Sequence, residues 1–382
     1  MKKQFAITVM AATILSGCNS GSESQDTSFE ASDYNVVVAV RQAGYSGGAI
    51  DVYAVEDGQV VSEEKSLNAS GSDIVVRAHN DEFFVVGRYN MDNLTRYYSG
   101  ATSVPLSQLS LRRDENQSSP NVYDLAFVED NDALLIPYGV AEVSRVDPTA
   151  ATQSDLFKEV IDLTNYTLGS DGTPEAVDAI VVGDKAYVLL QQQNNWTVEF
   201  NSTLVTIDLQ TNLIVGDALD LGVRNAQNLT LSADASYLLV AGQDSTLYGE
   251  DPKTYNGGIA KVDLNQNTVS LLIDDGDITS HPYGYIRSVE VMSNELGYFL
   301  GAAGYEDDTL YRFDPRDGTV LGSVPGFESK AIKSITSDGN GLLWIALAGE
   351  DNTITAITTD GTVHVKPIKT SLVPIGVAIV SN

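Results

Sequence analysis

Short runs of β-branched, aromatic and aliphatic residues recur along this 382-residue chain at intervals of about 51 residues. They occur at residues 36–38, 83–85, 134–136, 187–189, 237–239, 298–300 and 342–344. Such side chains suit a pleated, half-buried surface, so each run is predicted to be a strand. A repeat of this length with four strands per unit predicts a β-propeller of seven blades.

One unit is clearest between residues 175 and 215. Its predicted strands cover residues 177–181, 186–189, 204–208 and 213–215. The turns between them contain Gly183, Asp184 and Asn212, residue types that tolerate the positive φ of tight hairpins. This pattern predicts a four-stranded antiparallel meander, which is one blade.

Strands that precede and follow the recurring runs complete the other units. First strands are predicted at residues 73–76, 124–127, 228–231, 289–291 and 332–335, and third strands at 50–53, 143–147, 259–263, 310–314 and 354–357. No first strand precedes Tyr34, whereas a spare strand remains at residues 375–380. We therefore predict an all-β, seven-bladed propeller in which the C-terminal strand joins the first blade and closes the ring, because closure removes exposed sheet edges.

The second unit matches this pattern least well. Its third strand, residues 95–98, is a weak strand pattern, and residues 105–120 form a long polar insertion.

The N-terminus has the pattern of an export signal. Lys2 and Lys3 precede an apolar stretch, residues 5–15, that is too short to span a bilayer as a stable helix. Residues 15–18 (Leu-Ser-Gly-Cys) resemble the lipobox of bacterial lipoproteins, which implies cleavage before Cys18 and acylation of its thiol. An ordinary secretory signal is the alternative. We predict a lipoprotein signal peptide (1–17), an acylated flexible tether (18–33) and a propeller domain (34–382).

The predicted lipid anchor places the protein in the cell envelope, attached to a membrane. Asn19 follows the predicted cleavage site, where an Asp would resemble an inner-membrane retention signal, so outer-membrane attachment is favoured. Cys18 is the only cysteine, so the exported domain cannot contain an internal disulfide.

The chain is strongly acidic, with 52 Asp and Glu against 22 Lys and Arg and a net charge of −30. Such a field repels phosphate backbones and argues against nucleic-acid binding. Solubility is the simplest explanation of the charge, and attraction of cations or basic partners is the alternative.

Units such as residues 186–188 (Ala-Tyr-Val) followed by residues 204–212 resemble the YVTN-type, lactonase-like seven-bladed propellers of bacterial cell-surface and periplasmic proteins. The resemblance covers most of residues 34–382. It implies the fold, and it implies either a sugar-lactone-processing enzyme or a binding protein. No catalytic residue is carried over from it.

Several chemistries lack their usual sequence signals. The three histidines, His79, His281 and His364, lie in different units without a second His or Cys at ligand spacing. There is no Gly-x-Ser-x-Gly nucleophile motif and no Cys-x-x-Cys-His haem motif. Carboxylate-rich turns at residues 129–132, 306–308 and 338–340 could bind calcium but fit solvated turns better. We therefore predict no cofactor, with bound calcium as the alternative.

Long loops are predicted on one face of the ring, between second and third strands and between blades, where function on rigid scaffolds often lies. They carry tyrosine, tryptophan, amide and arginine side chains suited to polar organic ligands or protein surfaces. Candidate ligand-binding residues are Tyr89, Arg96, Tyr138, Gln192, Asn195, Trp196, Tyr248, Tyr255, Tyr283, Tyr285 and Tyr305. They predict a non-catalytic protein that binds a small polar ligand, a glycan, a metal chelate or an envelope protein. A metal-assisted lactonase-like hydrolase using channel-facing carboxylates is the alternative.

Overall fold

The computed structural model describes residues 34–244 and 254–381. The predicted signal peptide, tether, Cys18 and Tyr248 therefore lie outside the described residues. In the described part of the chain, no helix is long and apolar enough to cross a membrane.

The described residues form seven antiparallel sheets arranged as blades in a ring. Blade 1 contains β1 (Tyr34–Arg41), β2 (Gly48–Glu56) and β3 (Gln59–Ser70). Blade 2 contains β4 (Ile74–His79), β5 (Glu82–Gly87), β6 (Asn93–Tyr98) and β7 (Ser107–Ser110). Blade 3 contains β8 (Val122–Glu129), β9 (Asp132–Pro137), β10 (Glu142–Val146) and β11 (Phe157–Asp162), with the short helix α1 (Gln153–Leu156) before β11.

A 3-10 turn (Thr164–Tyr166) precedes the fourth blade. Blade 4 contains β12 (Ala176–Val182), β13 (Lys185–Leu190), β14 (Asn201–Asp208), β15 (Leu213–Ile214) and β16 (Leu219–Arg224). Blade 5 contains β17 (Ala226–Leu231), β18 (Tyr237–Gly242), β19 (Gly258–Asp263) and β20 (Thr268–Asp274). Blade 6 contains β21 (Tyr285–Ser293), β22 (Leu296–Gly304), β23 (Asp307–Phe313) and β24 (Val320–Ser323). Blade 7 contains β25 (Ala331–Ser337), β26 (Leu342–Ala348), β27 (Thr353–Thr358) and β28 (Val363–Lys369).

The last strand, β29 (Val373–Ser381), closes the ring as predicted. It pairs antiparallel with β1, placing Ala378 opposite Val37, and becomes the innermost strand of blade 1. It also contacts β4 of blade 2 and β25 of blade 7. The fold is thus an all-β, seven-bladed propeller whose first blade is built from both ends of the described chain.

The core lies between neighbouring blades. Phe83 and Phe84 of β5 illustrate this, because Phe83 packs with residues of blade 1 and Phe84 packs with residues of blade 3. Consecutive side chains of a strand point to opposite faces of its sheet, and both faces are covered here. This explains why the second strands are unbroken apolar runs instead of alternating ones.

Two blades differ from the sequence prediction. In blade 2, β6 is a full strand with Leu94 and Tyr97 buried, and the polar insertion contains the outer strand β7. In blade 4, the predicted outer strand is only the two-residue β15, and β16 also pairs with β14. Outer strands are solvated, so they lack the apolar pattern by which inner strands are recognised.

A β-bulge recurs at the same place on the innermost strands of blades 3 to 7. The residues that follow the bulges are Asp124, Asp178, Asn228, Ser288 and Ser334. Two of them bind the next blade directly. Asp178 accepts a hydrogen bond from the Leu229 amide at 2.9 Å, and Asn228 accepts one from the Val289 amide at 3.2 Å. Bulges re-aim side chains, and these bulges turn polar groups toward the adjoining blade.

Candidate functional site

A groove of about 500 Å³ lies between the long loops of blades 2, 3 and 4. We call it the aromatic groove. Its walls include Tyr89, Arg112, Tyr138, Asp171, Glu175, Asn195 and Trp196. The volume is in the range of small-molecule sites. Four of the predicted ligand-binding residues, Tyr89, Tyr138, Asn195 and Trp196, are therefore brought together in one place.

Stacked rings connect this groove to the axis of the ring. The Trp196 and Tyr138 centroids lie 5.5 Å apart at 25°, and those of Tyr138 and Tyr123 lie 4.7 Å apart at 21°. The guanidinium carbon of Arg88 lies 4.3 Å from the Tyr123 ring centroid. We call these four side chains the aromatic column. Its inner members, Arg88 and Tyr123, line the central channel, whereas Trp196 faces solvent in the groove.

Trp196 sits at the tip of a tight turn between β13 and β14. Asn194 and Thr197 exchange two backbone hydrogen bonds, of 2.9 and 3.0 Å. Asn195 and Trp196 between them have φ values of +50° and +69°, as in the type I′ turns of hairpins. A left-handed backbone is unusual for a bulky residue and marks local strain. The side chain is 71% exposed, so the strain holds a large apolar ring in solvent.

A neighbouring loop holds this turn in place. Asp171 accepts a 2.7 Å hydrogen bond from the Asn195 amide, which fixes the turn against the loop before β12. Glu175 in the same loop is only 3% exposed and accepts hydrogen bonds from the Thr173 hydroxyl at 2.6 Å and the Gln193 amide at 2.8 Å. Burial raises the pKa of Glu175 to about 7, although the bonds from Thr173 and Gln193 act against the rise.

The groove also contains a neutralised cation. Arg112 binds Asp92 through Nε at 2.9 Å and through its terminal nitrogen at 2.6 Å. Asp92 is buried and also accepts a hydrogen bond from the Ser119 hydroxyl at 2.7 Å. Because Arg112 is paired, Asp171 and Glu175 determine the charge that the groove presents to a ligand.

Two predicted residues have structural contacts instead of a place in the groove. Gln192 is buried, donating to the Tyr166 carbonyl at 2.7 Å and to the Thr203 hydroxyl at 2.9 Å. Arg96 forms an ion pair with Glu82 and donates to the Thr149 carbonyl at 3.1 Å. Thr149 follows the third strand of blade 3, so Arg96 lies toward the face that carries the short turns.

The remaining predicted tyrosines lie in blades 5 and 6. Tyr255 stacks on Tyr285 at 4.9 Å and on His281 at 4.4 Å. Tyr283 packs edge-on against Phe299 and Tyr311. Tyr305 is exposed in the turn before β23, near Lys333. The candidate residues predicted on one loop-rich face are thus divided between the aromatic groove and separate groups of rings.

The central channel has a volume of about 550 Å³ and a polar lining that the sequence analysis did not single out. Arg77 forms an ion pair with Asp124, and Asp178 and Glu290 face the same space. Burial raises the pKa of Glu290 to about 8 despite the charge of Arg77, and burial followed by the charge of Asp124 raises the pKa of Asp178. The sequence signal for these channel residues was a single polar residue at the equivalent position of otherwise apolar first strands.

The carboxylates considered as calcium ligands take part in local contacts. Asp338 accepts hydrogen bonds from the Asn340 and Leu342 amides, Glu306 pairs with Lys333, and Asp130 binds His79 and Asn80. Among residues 34–244 and 254–381, no three His, Cys, Asp or Glu side chains form a group that could hold a metal ion.

No protein-family model matches the chain, and no curated protein sequence matches it. Solved structures resemble it in fold. A putative 6-phosphogluconolactonase from Bacteroides fragilis has 12% identity and a TM-score of 0.61, with 94% of this chain and 100% of that chain covered. Apo AztD from Citrobacter koseri has 12% identity and a TM-score of 0.52, with 91% and 98% covered. Hydrazine synthase from Kuenenia stuttgartiensis has 13% identity and a TM-score of 0.56, with 87% and 95% covered. At these identities the similarity shows a shared fold, the seven-bladed β-propeller.

Proposed function

We propose that this protein is a membrane-anchored binding propeller that captures a small polar ligand in the aromatic groove and performs no chemistry on it. The observation that carries the proposal is Trp196, a large exposed ring held by a strained turn and stacked on Tyr138. The surroundings hold this strained conformation, because Asp171 accepts the hydrogen bond of the Asn195 amide, and backbone strain held in this way is typical of functional sites.

The groove suits a ring that is apolar on one face and rich in hydroxyl groups at its edge, as in a glycan. The exposed face of Trp196 would pack against the apolar face of such a ring. Asn195 and Asp171 would bind its hydroxyl groups, because an amide both donates and accepts while a carboxylate accepts. This combination fits a polyhydroxylated ligand better than a metal chelate or a protein partner.

Anchoring of the mature chain through Cys18 would keep the groove beside a membrane, with the outer membrane of the cell envelope as the proposed place. The basis is the lipobox-like residues 15–18. Cys18→Ser should yield an unlipidated protein, and incorporation of labelled fatty acid into this variant would contradict the proposal.

A lactonase-like, metal-assisted hydrolase is the second candidate. The channel favours it, since Asp178 and Glu290 are carboxyl groups with raised pKa values in a cavity, a combination typical of functional sites.

Both candidates can be tested with one set of ligands. The purified domain is screened against soluble glycans, metal chelates and sugar lactones, with binding followed by calorimetry and product formation by chromatography. Trp196→Ala should weaken binding of the selected glycan by about 30-fold, equivalent to roughly 2 kcal/mol. Tyr98→Ala, which removes a partly exposed ring from the face with short turns, should leave affinity unchanged. Multiple-turnover hydrolysis of a lactone that a chelator abolishes would favour the hydrolase.

A further inference from the structure

A second cavity, of about 560 Å³, lies between blades 1 and 2 on the face with long loops. Its lining includes Arg41, Tyr45, Ser72, Asp73 and Arg88. It shares Arg88 and part of β4 with the lining of the central channel, so it adjoins the channel mouth. We call it the Arg41 cavity. It shares no lining residue with the aromatic groove.

Arg41 is the cation available in this cavity. Its guanidinium carbon lies 3.7 Å from the Tyr45 ring centroid, so the guanidinium lies against the ring. Among the described residues, no carboxylate forms an ion pair with Arg41. Stacking occupies the face of a guanidinium and leaves the N–H groups at its edge free to donate.

Tyr45 is held under Arg41 by a fixed loop. Its backbone has a φ of +58°, although the side chain is 61% exposed and nothing in a core requires it there. The Tyr45 amide donates to the Gln42 carbonyl at 3.0 Å, and the Tyr45 carbonyl accepts from the Ser72 hydroxyl at 2.9 Å. These bonds stabilise a left-handed conformation that an aromatic residue rarely adopts. The loop therefore presents Arg41 in one orientation.

Arg88, which lines the same cavity, and Lys333, whose partner Glu306 feels the charge of Arg41, are each already paired with a carboxylate. Arg88 is paired with Asp73, with 2.6 Å between Nε and Oδ1. Lys333 is paired with Glu306 at 2.8 Å, and the pKa of Glu306 is lowered by Lys333 and, more weakly, by Arg41. Each of the two carboxylates thus has its own cation, and Arg41 supplies one further positive charge. The chain as a whole has a net charge of −30.

We propose that the Arg41 cavity binds the carboxylate group of a small organic acid. The planar fork of Arg41 would donate two parallel hydrogen bonds to the two carboxylate oxygens, which is the geometry that guanidinium groups favour. One unpaired cation balances one negative charge. A phosphate group carries more charge, and it would require a second free cation, whereas Arg88 and Lys333 are already neutralised.

The test is calorimetric titration of the full chain, purified in detergent, with propionate, which carries one negative charge, and with inorganic phosphate at constant ionic strength. Propionate should bind, and Arg41→Gln should weaken its binding at least 10-fold, while Arg41→Lys should recover only part of the affinity because a lysine cannot donate bidentately. Arg316→Gln is the matched control, since Arg316 is an exposed arginine in the short turn after β23. Circular dichroism would verify that each variant is folded.

Three results would overturn the proposal. They are absence of propionate binding to the wild type, equal propionate affinity in wild type and Arg41→Gln, and phosphate binding as tight as propionate binding. None of these results depends on a ligand in the aromatic groove. The carboxylate site is therefore tested independently of the proposed glycan site. Trp196→Ala should leave propionate binding unchanged.

Discussion

At the scale of single residues, Asp275 is the clearest case of a side chain in an unfavourable environment. It is 0% exposed, and the Gly257 amide lies near its carboxyl group but not in hydrogen-bonding geometry. Burial, followed by the nearby charges of Asp244 and Asp274, raises the pKa of Asp275 to about 7. The folded protein therefore holds this proton at pH values where the unfolded chain has lost it.

We predict that Asp275→Asn stabilises the protein above pH 7. The amide removes the cost of burying a charge, and the gain in free energy of unfolding should be roughly 2 kcal/mol, because one pKa unit corresponds to about 1.4 kcal/mol and the amide still has to be buried. Chemical denaturation at pH 8 would measure it. Asp217→Asn is the control, since Asp217 is exposed and is not among the charges that raise the pKa of Asp275. Equal stability of wild type and Asp275→Asn at pH 8 would contradict the prediction.

Residues of the aromatic groove show what could be predicted from the sequence. Trp196 and Tyr138 were identified because aromatic residues within polar loops are recognisable without a structure. Tyr123, Asp171 and Glu175 were not identified, because their role comes from contacts between loops of different blades, which depend on the angle between the blades. Gln192 was also predicted to contact a ligand, and in the structure its amide donates to the Tyr166 carbonyl and the Thr203 hydroxyl.

At the scale of elements, the second strands were the most predictable, because a strand buried on both faces leaves a continuous apolar run. The outer strands β7 and β16 were missed, since one edge and much of their surface contact solvent. The β-bulges on the innermost strands were also not predicted. A bulge adds one residue without changing composition, and only the pairing register reveals it.

The bulge residue Asn228 offers a test of how blades are joined. Its side chain donates to the Val289 carbonyl at 2.9 Å and accepts from the Val289 amide, so it links β17 to β21. We predict that Asn228→Ala lowers the free energy of unfolding by about 2 kcal/mol, because two hydrogen bonds are lost. Asn116→Ala, in an exposed loop, should have almost no effect. Equal losses in the two variants, measured by urea denaturation, would show that Asn228 does not join the blades.

The closing strand β29 gives a prediction about the ring. Removing the last eight residues takes Ala378 and Val380 out of the core between blades 1 and 2 and exposes the edge of β1. The truncated chain should unfold at a much lower temperature, because apolar burial contributes on the order of 25 cal/mol per Å². A synthetic peptide with the sequence of residues 373–382 should restore part of the loss by pairing with β1. Thermal stability equal to that of the full chain would refute this account of closure.

At the scale of the whole molecule, the carboxyl groups fall into two classes with opposite effects on stability. Exposed turn residues have lowered pKa values because they accept local hydrogen bonds, as Asp208 and Asp277 do. Their contribution is lost as pH falls through their folded pKa values. Glu175 and Asp275, which are buried, and the half-buried Glu290 have pKa values raised to about 7, 7 and 8. In the folded state these three groups keep their protons to higher pH than in the unfolded state.

The pH dependence of stability follows from this difference. Between about pH 5 and pH 8 the folded protein binds more protons than the unfolded chain, so the free energy of unfolding must fall as pH rises. We predict a maximum in thermal stability near pH 5 and a steady decrease to pH 8, measured by scanning calorimetry. The combined variant Glu175→Gln, Asp275→Asn and Glu290→Gln should show a much flatter profile over this range.

High salt distinguishes titration of these carboxyl groups from repulsion among surface charges. It screens the repulsion that arises from the net charge of −30 but acts little on buried groups. A decrease abolished by salt alone, or retained in the combined variant, would assign the effect to surface repulsion and not to these three carboxyl groups.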